Sequence, residues 1–345
     1  PGPASSQVGI ALGLSRAGLP GALAAWAGFT LPSAILLALF AQGLSSWGSV
    51  IPDGALHGLK VVAVAVVAQA VWGMARSLCT DTTRISMTAV AACGALLWPN
   101  AWGQVGVIAL AAVAGWALFQ PAREDTPGLA HDRLPIAVSR RLSGALLGLF
   151  FILLAGLPLA ARIWPGPILD IVNAFYRAGS LVFGGGHVVL PLLQAAVVPN
   201  GWVANETFLA GYGAAQAVPG PLFTFAAFLG ASLTLTPGGW LGAAVCLVAI
   251  FIPSFLLVIG VLPFWEQLRG NRQARAALAG VNAAVVGLLL AALYHPVWTS
   301  AVLQPADFGL ALLALVALMF WKLPPWLVVA GCAAAGWLLS SIVHV

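Results

Sequence analysis

Charge is what this sequence has least of. Asp, Glu, Lys and Arg make up 7% of its 345 residues and hydrophobic types 61%, whereas a soluble domain carries about 25% charged residues. That little polar surface cannot cover water-soluble domains of this length, so the chain reads as an all-α, polytopic membrane protein. Acidic groups are scarcer than basic ones, nine against 14. Asp170, Glu206, Glu266 and Asp307 all fall at the ends of apolar stretches, which leaves no carboxylate deep in a span. Cysteine is also sparse. Cys79, Cys93, Cys246 and Cys332 stand in or beside apolar segments without paired spacing, which argues against a disulfide framework or a zinc site and makes them small core residues. No Walker loop is present, so ATP is not the direct drive, and no cofactor is implied. A cleavable signal peptide is not visible, the chain opening on Pro1-Gly2-Pro3.

Apolar stretches of spanning length, about 20 residues, fall at 20–43, 54–76, 142–161, 171–198, 207–234, 239–262 and 276–298. Shorter ones at 85–98, 103–119, 307–322 and 325–343 predict tight helical hairpins around "WPNAWG" and "KLPPW", and a partial helix is expected to end near Gly13. Residues 120–141, rich in Pro, Gly and mixed charge, read as a solvated linker. With that linker in the cytoplasm, Arg16, Arg76, Arg84, Arg123, Arg133, Arg140, Arg141, Arg269, Arg272, Arg275 and Lys322 fall inside or at the inner boundary, and only Arg162 falls outside. This is a strong positive-inside bias. The net charge of +5 is therefore a topology signal and not a nucleic-acid footprint. Trp98, Trp102, Trp321 and Trp326 cluster near span ends, as interfacial anchors do.

The two halves resemble each other. "PGPASSQVGIALG" from Pro1 matches "PGPLFTFAAFLG" from Pro219, "GALAAWAGFTLPSAILL" from Gly21 matches "GAAVCLVAIFIPSFLLV" from Gly242, and "ALHGLKVVAVAVV" from Ala55 matches "ALAGVNAAVVGLL" from Ala277. The loop after the first Pro-Ser helix carries no Lys or Arg, while its counterpart reads "RGNRQAR". By the charge rule these loops lie on opposite faces, which predicts inverted repeats, an architecture of secondary transporters. The expected units are a first repeat over 1–119, the linker 120–141, a topology-inverting helix 142–161 and a second repeat over 168–345. The segment that carries the glycine-rich motif of the second repeat has no counterpart ahead of Pro1. The chain is therefore expected to lack its first helix and most of its second.

Two kinds of break mark the candidate site. Pro1-Gly2-Pro3 and Pro219-Gly220-Pro221 occupy matching points, and Pro-Gly-Pro removes backbone donors and ends a helix. Irregular backbone at membrane depth is tolerated only inside protein or along a water-filled cavity, and paired discontinuous helices point to a transporter's binding site. Gly184, Gly185 and Gly186 permit close approach ahead of His187. A helix restarting there would present free N–H groups and a positive dipole end to an anion, and His187 adds a donor or a titratable proton. Gln194 and Gln216 lie near these breaks, and Gln7 follows the first Pro-Gly-Pro. Arg177, ten residues ahead of His187, and Lys60 are basic groups within spans, which default to functional candidates. Asn282 is the position equivalent to Lys60. Snorkelling cations and a structural histidine in a glycine-packed seam are the plain alternatives.

"FGGGHVVLPLLQ" (183–194), "GYGAAQAVPGP" (211–221) and "GAAVCLVAIFIPSFLL" (242–257), with degenerate copies in the first half, resemble the chromate ion transporter superfamily in its long-chain, two-repeat form, over Pro1 to about Val302. The resemblance implies export of chromate across the bacterial inner membrane and chromate resistance, with sulfate as a close analogue and an ion gradient as the drive. The coupling ion is not legible; His187 and Glu206 are the candidates if it is a proton. A two-copy assembly is compatible with this reading, and no nucleic-acid partner is expected. A membrane-embedded enzyme acting on an anionic lipid head group, with His187 and Glu206 as acid and base, and a passive anion channel are the rival classes.

Overall fold

The computed structural model describes residues 3–47, 52–119, 138–183 and 185–343, all of them in helices and their connections with no strand among them. The helices are α1 (Pro3–Trp47), α2 (Asp53–Leu78), α3 (Thr82–Leu97), α4 (Ala101–Leu118), α5 (Arg140–Ile163), α6 (Pro167–Ser180), α7 (Val189–Val197), α8 (Asn205–Ala215), α9 (Phe225–Ala231), α10 (Gly239–Val261), α11 (Trp265–Gly270), α12 (Arg272–Ala292), α13 (Thr299–Ala301), α14 (Pro305–Met319) and α15 (Pro325–Val343). Six helices among the described residues are long and apolar enough to cross a membrane. The chain is an all-α, multi-pass membrane protein. Most of the linker predicted over 120–141 lies outside the described residues.

Local chemistry sets the helix starts. Asp81, Asn100 and Ser139 accept the backbone N–H of Arg84 (2.9 Å), Gly103 (2.7 Å) and Leu142 (3.2 Å), and Gln304 with Asp307 closes a capping box on α14. The turns that join α3 to α4 and α14 to α15 fall in "WPNAWG" and "KLPPW", where two hairpins were expected. Trp98, Trp102, Trp321 and Trp326 are all exposed near helix ends.

α1 is two arms rather than one rod. The chain leaves helical geometry at Ala17 and at Gly18, whose φ is +64°. A methyl on Gly13 would strike the backbone of Gly21. Residues eight apart on a straight helix are about 12 Å apart, so that contact requires the chain to fold back. α9 and α10 repeat the arrangement, with Gly230 against the backbone of Gly242.

The apolar stretches 171–198 and 207–234 are each interrupted, at the glycine-rich and Pro-Gly-Pro motifs within them. α6 ends at Ser180 and helix resumes at Gly186, continuing into α7. α8 ends at Ala215 and helix resumes at Leu222, continuing into α9. Apolar length alone merged the pieces; glycine and proline, which act locally on the backbone, divide them. Arg177 and His187 therefore do not lie along one continuous helix.

The terminal hairpins cross over. α3 and α4 pack on α12, whereas α14 and α15 pack on α2. A methyl on Gly58 would strike the carbonyl of Cys332, and one on Gly280 the carbonyl of Ala111; Gly336 meets Gly54 and Gly58, and Gly115 meets Ala276 and Gly280. These pairs are related by steps of 221 or 222 residues, the spacing of the matched sequence blocks. Thr88 Oγ1 donates to the carbonyl of Ala283 (2.9 Å) across one seam, and His57 Nε2 lies 2.8 Å from Asp307 Oδ1 across the other. Leu78, at the end of α2, and Arg275, at the start of α12, line one cavity, so the two helices run antiparallel.

α5 lies outside this arrangement, with only Ser143 and Phe150 buried along it. Ser143 Oγ donates to the carbonyl of Ile259 (3.3 Å), and the carbonyl of Phe150 accepts Tyr176 Oη (3.0 Å). Cys246 and Cys332 are core residues as expected, but Cys93 is exposed. In a lipid-facing helix an outward cysteine has no aqueous surface to avoid.

Candidate functional site

The core surrounds the two helix breaks. Phe175, Phe208, Tyr212, Phe225 and Phe228 are fully buried there. The restarted segments at Gly186–Val188 and Leu222–Thr224 pack against each other, and the second also packs against α1. The first N–H groups of each restart have no acceptor within their own helix. Two helix N-termini thus approach one another at the centre of the molecule, each with its positive dipole end at a break.

His187 anchors the first break. Its Nδ1 shares a hydrogen bond of 2.7 Å with the hydroxyl of Tyr212 on α8, and Phe225 meets the Tyr212 ring edge-on at 5.7 Å. Gln216 Nε2 donates to the carbonyl of Tyr212 (3.4 Å). Gly185 lies against Met74 of α2, where a methyl would stand 3.0 Å from Sδ. Tyr212→Phe keeps the ring packing and deletes the bond to His187; it is expected to lower transport about tenfold, the consequence of losing ~1.4 kcal/mol of positioning, with membrane insertion unchanged. Flux assays on equal amounts of inserted protein check this, and unaltered flux would make His187 structural.

The second break is built on α1. Gly220 has φ +156°, and a methyl there would strike Ser33 Oγ and lie 2.8 Å from its Cβ. Ser33 Oγ itself donates to the carbonyl of Thr30 (3.0 Å), and Thr224 Oγ1 donates to that of Pro221 (2.8 Å). Thr30 Oγ1 and Ser6 Oγ are buried without a hydrogen-bond partner among the described residues. An unsatisfied buried hydroxyl costs roughly 1–3 kcal/mol, and such groups in a native core call for a ligand or a water. Sequence reasoning overlooked Ser6, Thr30 and Ser33. Their signal was present: each is a hydroxyl inside a repeated block, Ser6 five residues after Pro1 as Thr224 is after Pro219, and Ser33 matching Ser254.

The remaining candidates distribute unevenly. Arg177, in the last turn of α6, has its guanidinium carbon 5.2 Å from the Trp102 ring centroid on α4. Two residues along α4, Gln104 donates from Nε2 to the carbonyl of Pro191 (3.1 Å), leaving its buried Oε1 without a partner. α4 therefore brings an aromatic ring beneath Arg177 of α6, and an amide to the carbonyl of Pro191 on α7. Gln194 is half-buried on α7, and Gln7 is half-buried on the first arm of α1. Lys60 is half-buried on α2 and has no ion pair among the described residues. Asn282 lines a cavity with Arg84 and Arg275 at the junction of α2, α3 and α12, whose wall includes Leu78, one turn along α2 from the Met74 that meets Gly185. Pro1, Gly2 and Gly184 lie outside the described residues, as does the side chain of Pro3. Glu206 belongs to the first turn of α8; the partner of His187 is Tyr212.

The arrangement offers donors to an anion: helix N-termini and hydroxyls, with one arginine on the flank. The sequence profile described as "Chromate transporter" matches residues 1–116 and 169–337. The chain is 27% identical to the "Chromate transport protein" of Pseudomonas aeruginosa over 366 residues, covering 98% of this chain and 80% of that one. It is 30% identical to the "Chromate transport protein" of Cupriavidus metallidurans over 184 residues, covering 52% of this chain and 44% of that one. It is 24% identical to the "Probable chromate transport protein" of Synechococcus elongatus over 296 residues, covering 85% and 70%. No solved structure matches the chain.

Proposed function

This chain belongs to the chromate transporter family, and from that premise we propose that it carries chromate across the membrane by alternating access around its two broken helices. The observation that carries the reading is the meeting of the restarts at Gly186 and Leu222, the second of them against α1, where Thr30 Oγ1 is buried without a partner among the described residues, as is Ser6 Oγ on the same helix. A tetrahedral dianion is matched by helix N-termini and neutral donors, which bind oxyanions through hydrogen bonds and a positive dipole end. Sulfate has the same charge and a similar shape, so it is expected to compete.

Two inverted repeats frame this site in the proposal, a first over 1–119 and a second over 168–345, with the helix 142–161 reversing the direction of the second. The matched approaches of Gly58 to Cys332 and Gly280 to Ala111, on helices running antiparallel, support it. An axis in the membrane plane relating such halves lets one packing arrangement open to either face. The charge rule puts Arg76, Arg84, Arg272 and Arg275 on the cytoplasmic side of a bacterial inner membrane, and export is the direction proposed. His187, bonded to Tyr212, is the proposed proton carrier should a proton gradient drive the cycle.

The test is uptake of radiolabelled chromate into everted membrane vesicles, with and without an imposed proton gradient and with excess sulfate. Gradient-dependent accumulation that sulfate suppresses is the expected result. Arg177→Gln is expected to raise the chromate KM about tenfold, equivalent to ~1.4 kcal/mol. No accumulation by the wild-type chain would contradict the proposal, and an unchanged KM in the variant would remove Arg177 from the path.

A further inference from the structure

The cavity lined by Asn282 begins one turn of α2 beyond the Met74 contact to Gly185 and has its own chemistry. It is an open cavity of about 250 Å³ between the end of α2, the start of α3 and the first turns of α12, and it is lined by Leu78, Arg84, Arg275, Leu278, Ala279 and Asn282. At ~30 Å³ per water, that is room for an oxyanion and part of its hydration shell. Arg84 is held in place from several directions: Nη1 donates to Thr80 Oγ1 (3.3 Å) and to the carbonyl of Leu78 (3.5 Å), and its guanidinium carbon is 5.2 Å from the Phe119 ring centroid. Asp81 Oδ2 lies 3.1 Å from Arg84 Nε and offsets part of its charge. Arg76, in the last turn of α2, and Arg272, in the first turn of α12, add charge at the same end of the molecule.

The opposite end of the molecule supplies a built-in comparison. In the matched blocks Ala279 corresponds to His57 and Asn282 to Lys60, and Arg275 falls at the same spacing as Asp53. Where Ala279 leaves space beside Arg84, His57 fills the equivalent place with an imidazole 2.8 Å from the carboxylate of Asp307. Thus one end of the fold carries arginines around a cavity, and the other carries a histidine–carboxylate pair in its place. A guanidinium offers several donors in a planar fork suited to oxyanions, and two of them with a carboxamide across a cavity would gather an anion from solution.

We propose that this cavity is a second anion site, a cytoplasmic vestibule that binds a tetrahedral oxyanion ahead of the central breaks. It takes the identity of the cargo from the chromate reading, but its anion chemistry stands independently. The same chemistry is available from a free oxyanion or from the phosphate of an anionic lipid at the interface.

The test is thermal unfolding of the purified protein in phosphatidylcholine nanodiscs, with sodium sulfate compared with sodium chloride at equal ionic strength. The Gly220→Ala background removes the contribution of the central breaks. Sulfate at about ten times its Kd is expected to raise the melting temperature by roughly 2–4 °C. Arg84→Gln combined with Arg275→Gln is expected to abolish the shift. Asn282→Leu, which removes the carboxamide and keeps both arginines, is expected to abolish it as well. A sulfate shift that persists in both variants, or none in the Gly220→Ala protein, overturns the proposal. Repeating the scan with phosphatidylglycerol in the nanodiscs separates the sources: loss of the sulfate shift there assigns the cavity to a lipid phosphate, and its retention assigns it to the soluble anion. Because the readout is binding, it stands even if the vesicles show no chromate flux.

Discussion

Gly220→Ala is expected to abolish chromate flux while leaving the protein inserted and folded. Gly220 holds φ at +156°, a backbone region that glycine enters freely and residues with a Cβ rarely adopt. Forcing another residue to hold such a conformation costs of order 1–3 kcal/mol, and here the new methyl would also collide with the Ser33 side chain. Ser33 is buried and its hydroxyl is committed to the carbonyl of Thr30, so it has little freedom to withdraw. The break must therefore shift, and a displacement near 1 Å in a binding site can cost on the order of a hundredfold in rate. The check is vesicle uptake normalised to inserted protein, with limited proteolysis to report the fold. Ser33→Gly in the same chain removes the collision but not the dihedral strain, so it is expected to restore only part of the flux. Wild-type flux in Gly220→Ala would mean that the Pro-Gly-Pro break lies outside the transport path.

Gly58→Val and Gly280→Val are expected to give the largest losses of stability. Each places a branched side chain against the backbone of a crossing helix, at Cys332 and Ala111 respectively. Backbone cannot rotate aside as a side chain can, so the helices must separate. Overpacking of this kind costs typically 1–3 kcal/mol and occasionally more, and it also disrupts the close small-residue packing that holds membrane helices together where apolar burial gives little drive. Because Gly58 and Gly280 occupy equivalent places on α2 and α12, the two variants are expected to be destabilised to a similar extent, and their combination is expected to prevent recovery of monodisperse protein. Fluorescence-detected size exclusion after a heating series measures both. Gly28→Val is the control, since nothing lies within 4 Å of a methyl at that position. If Gly58→Val melted no earlier than Gly28→Val, the crossed packing of the hairpins would be wrong.

What the sequence revealed and what it concealed follow from the range of the interactions concerned. Charge scarcity announced the membrane because solvation is a property of composition. The breaks at Gly186 and Pro219-Gly220-Pro221 were visible because glycine and proline act on their own backbone, whereas apolar length alone does not divide 171–198. The hairpin turns at "WPNAWG" and "KLPPW" were visible for the same local reason. The crossing of α3 and α4 onto α12 was not visible, since the bond from Thr88 to Ala283 joins residues 195 apart in sequence and no periodicity encodes that pairing. Arg177 was identified as a polar group within a span, but its stacking on Trp102 depends on that same crossing. Asn282 was grouped with the central site through its equivalence to Lys60. The equivalence places both near the ends of the long helices, and at one end an alanine replaces the ring of His57, leaving a cavity where the other end is filled. Ser6 and Thr30 passed unnoticed because a buried hydroxyl becomes informative only once its missing partner is known.

The central claim is a carrier whose chromate site lies between the two breaks, and counterflow tests it most directly. Proteoliposomes loaded with unlabelled chromate are diluted into a trace of labelled chromate with no other gradient. The account predicts a transient overshoot of labelled chromate above its equilibrium level, abolished by Gly220→Ala and blunted by external sulfate. Monotonic filling without overshoot would indicate a pore, and an undiminished overshoot in Gly220→Ala would place the site elsewhere in the protein.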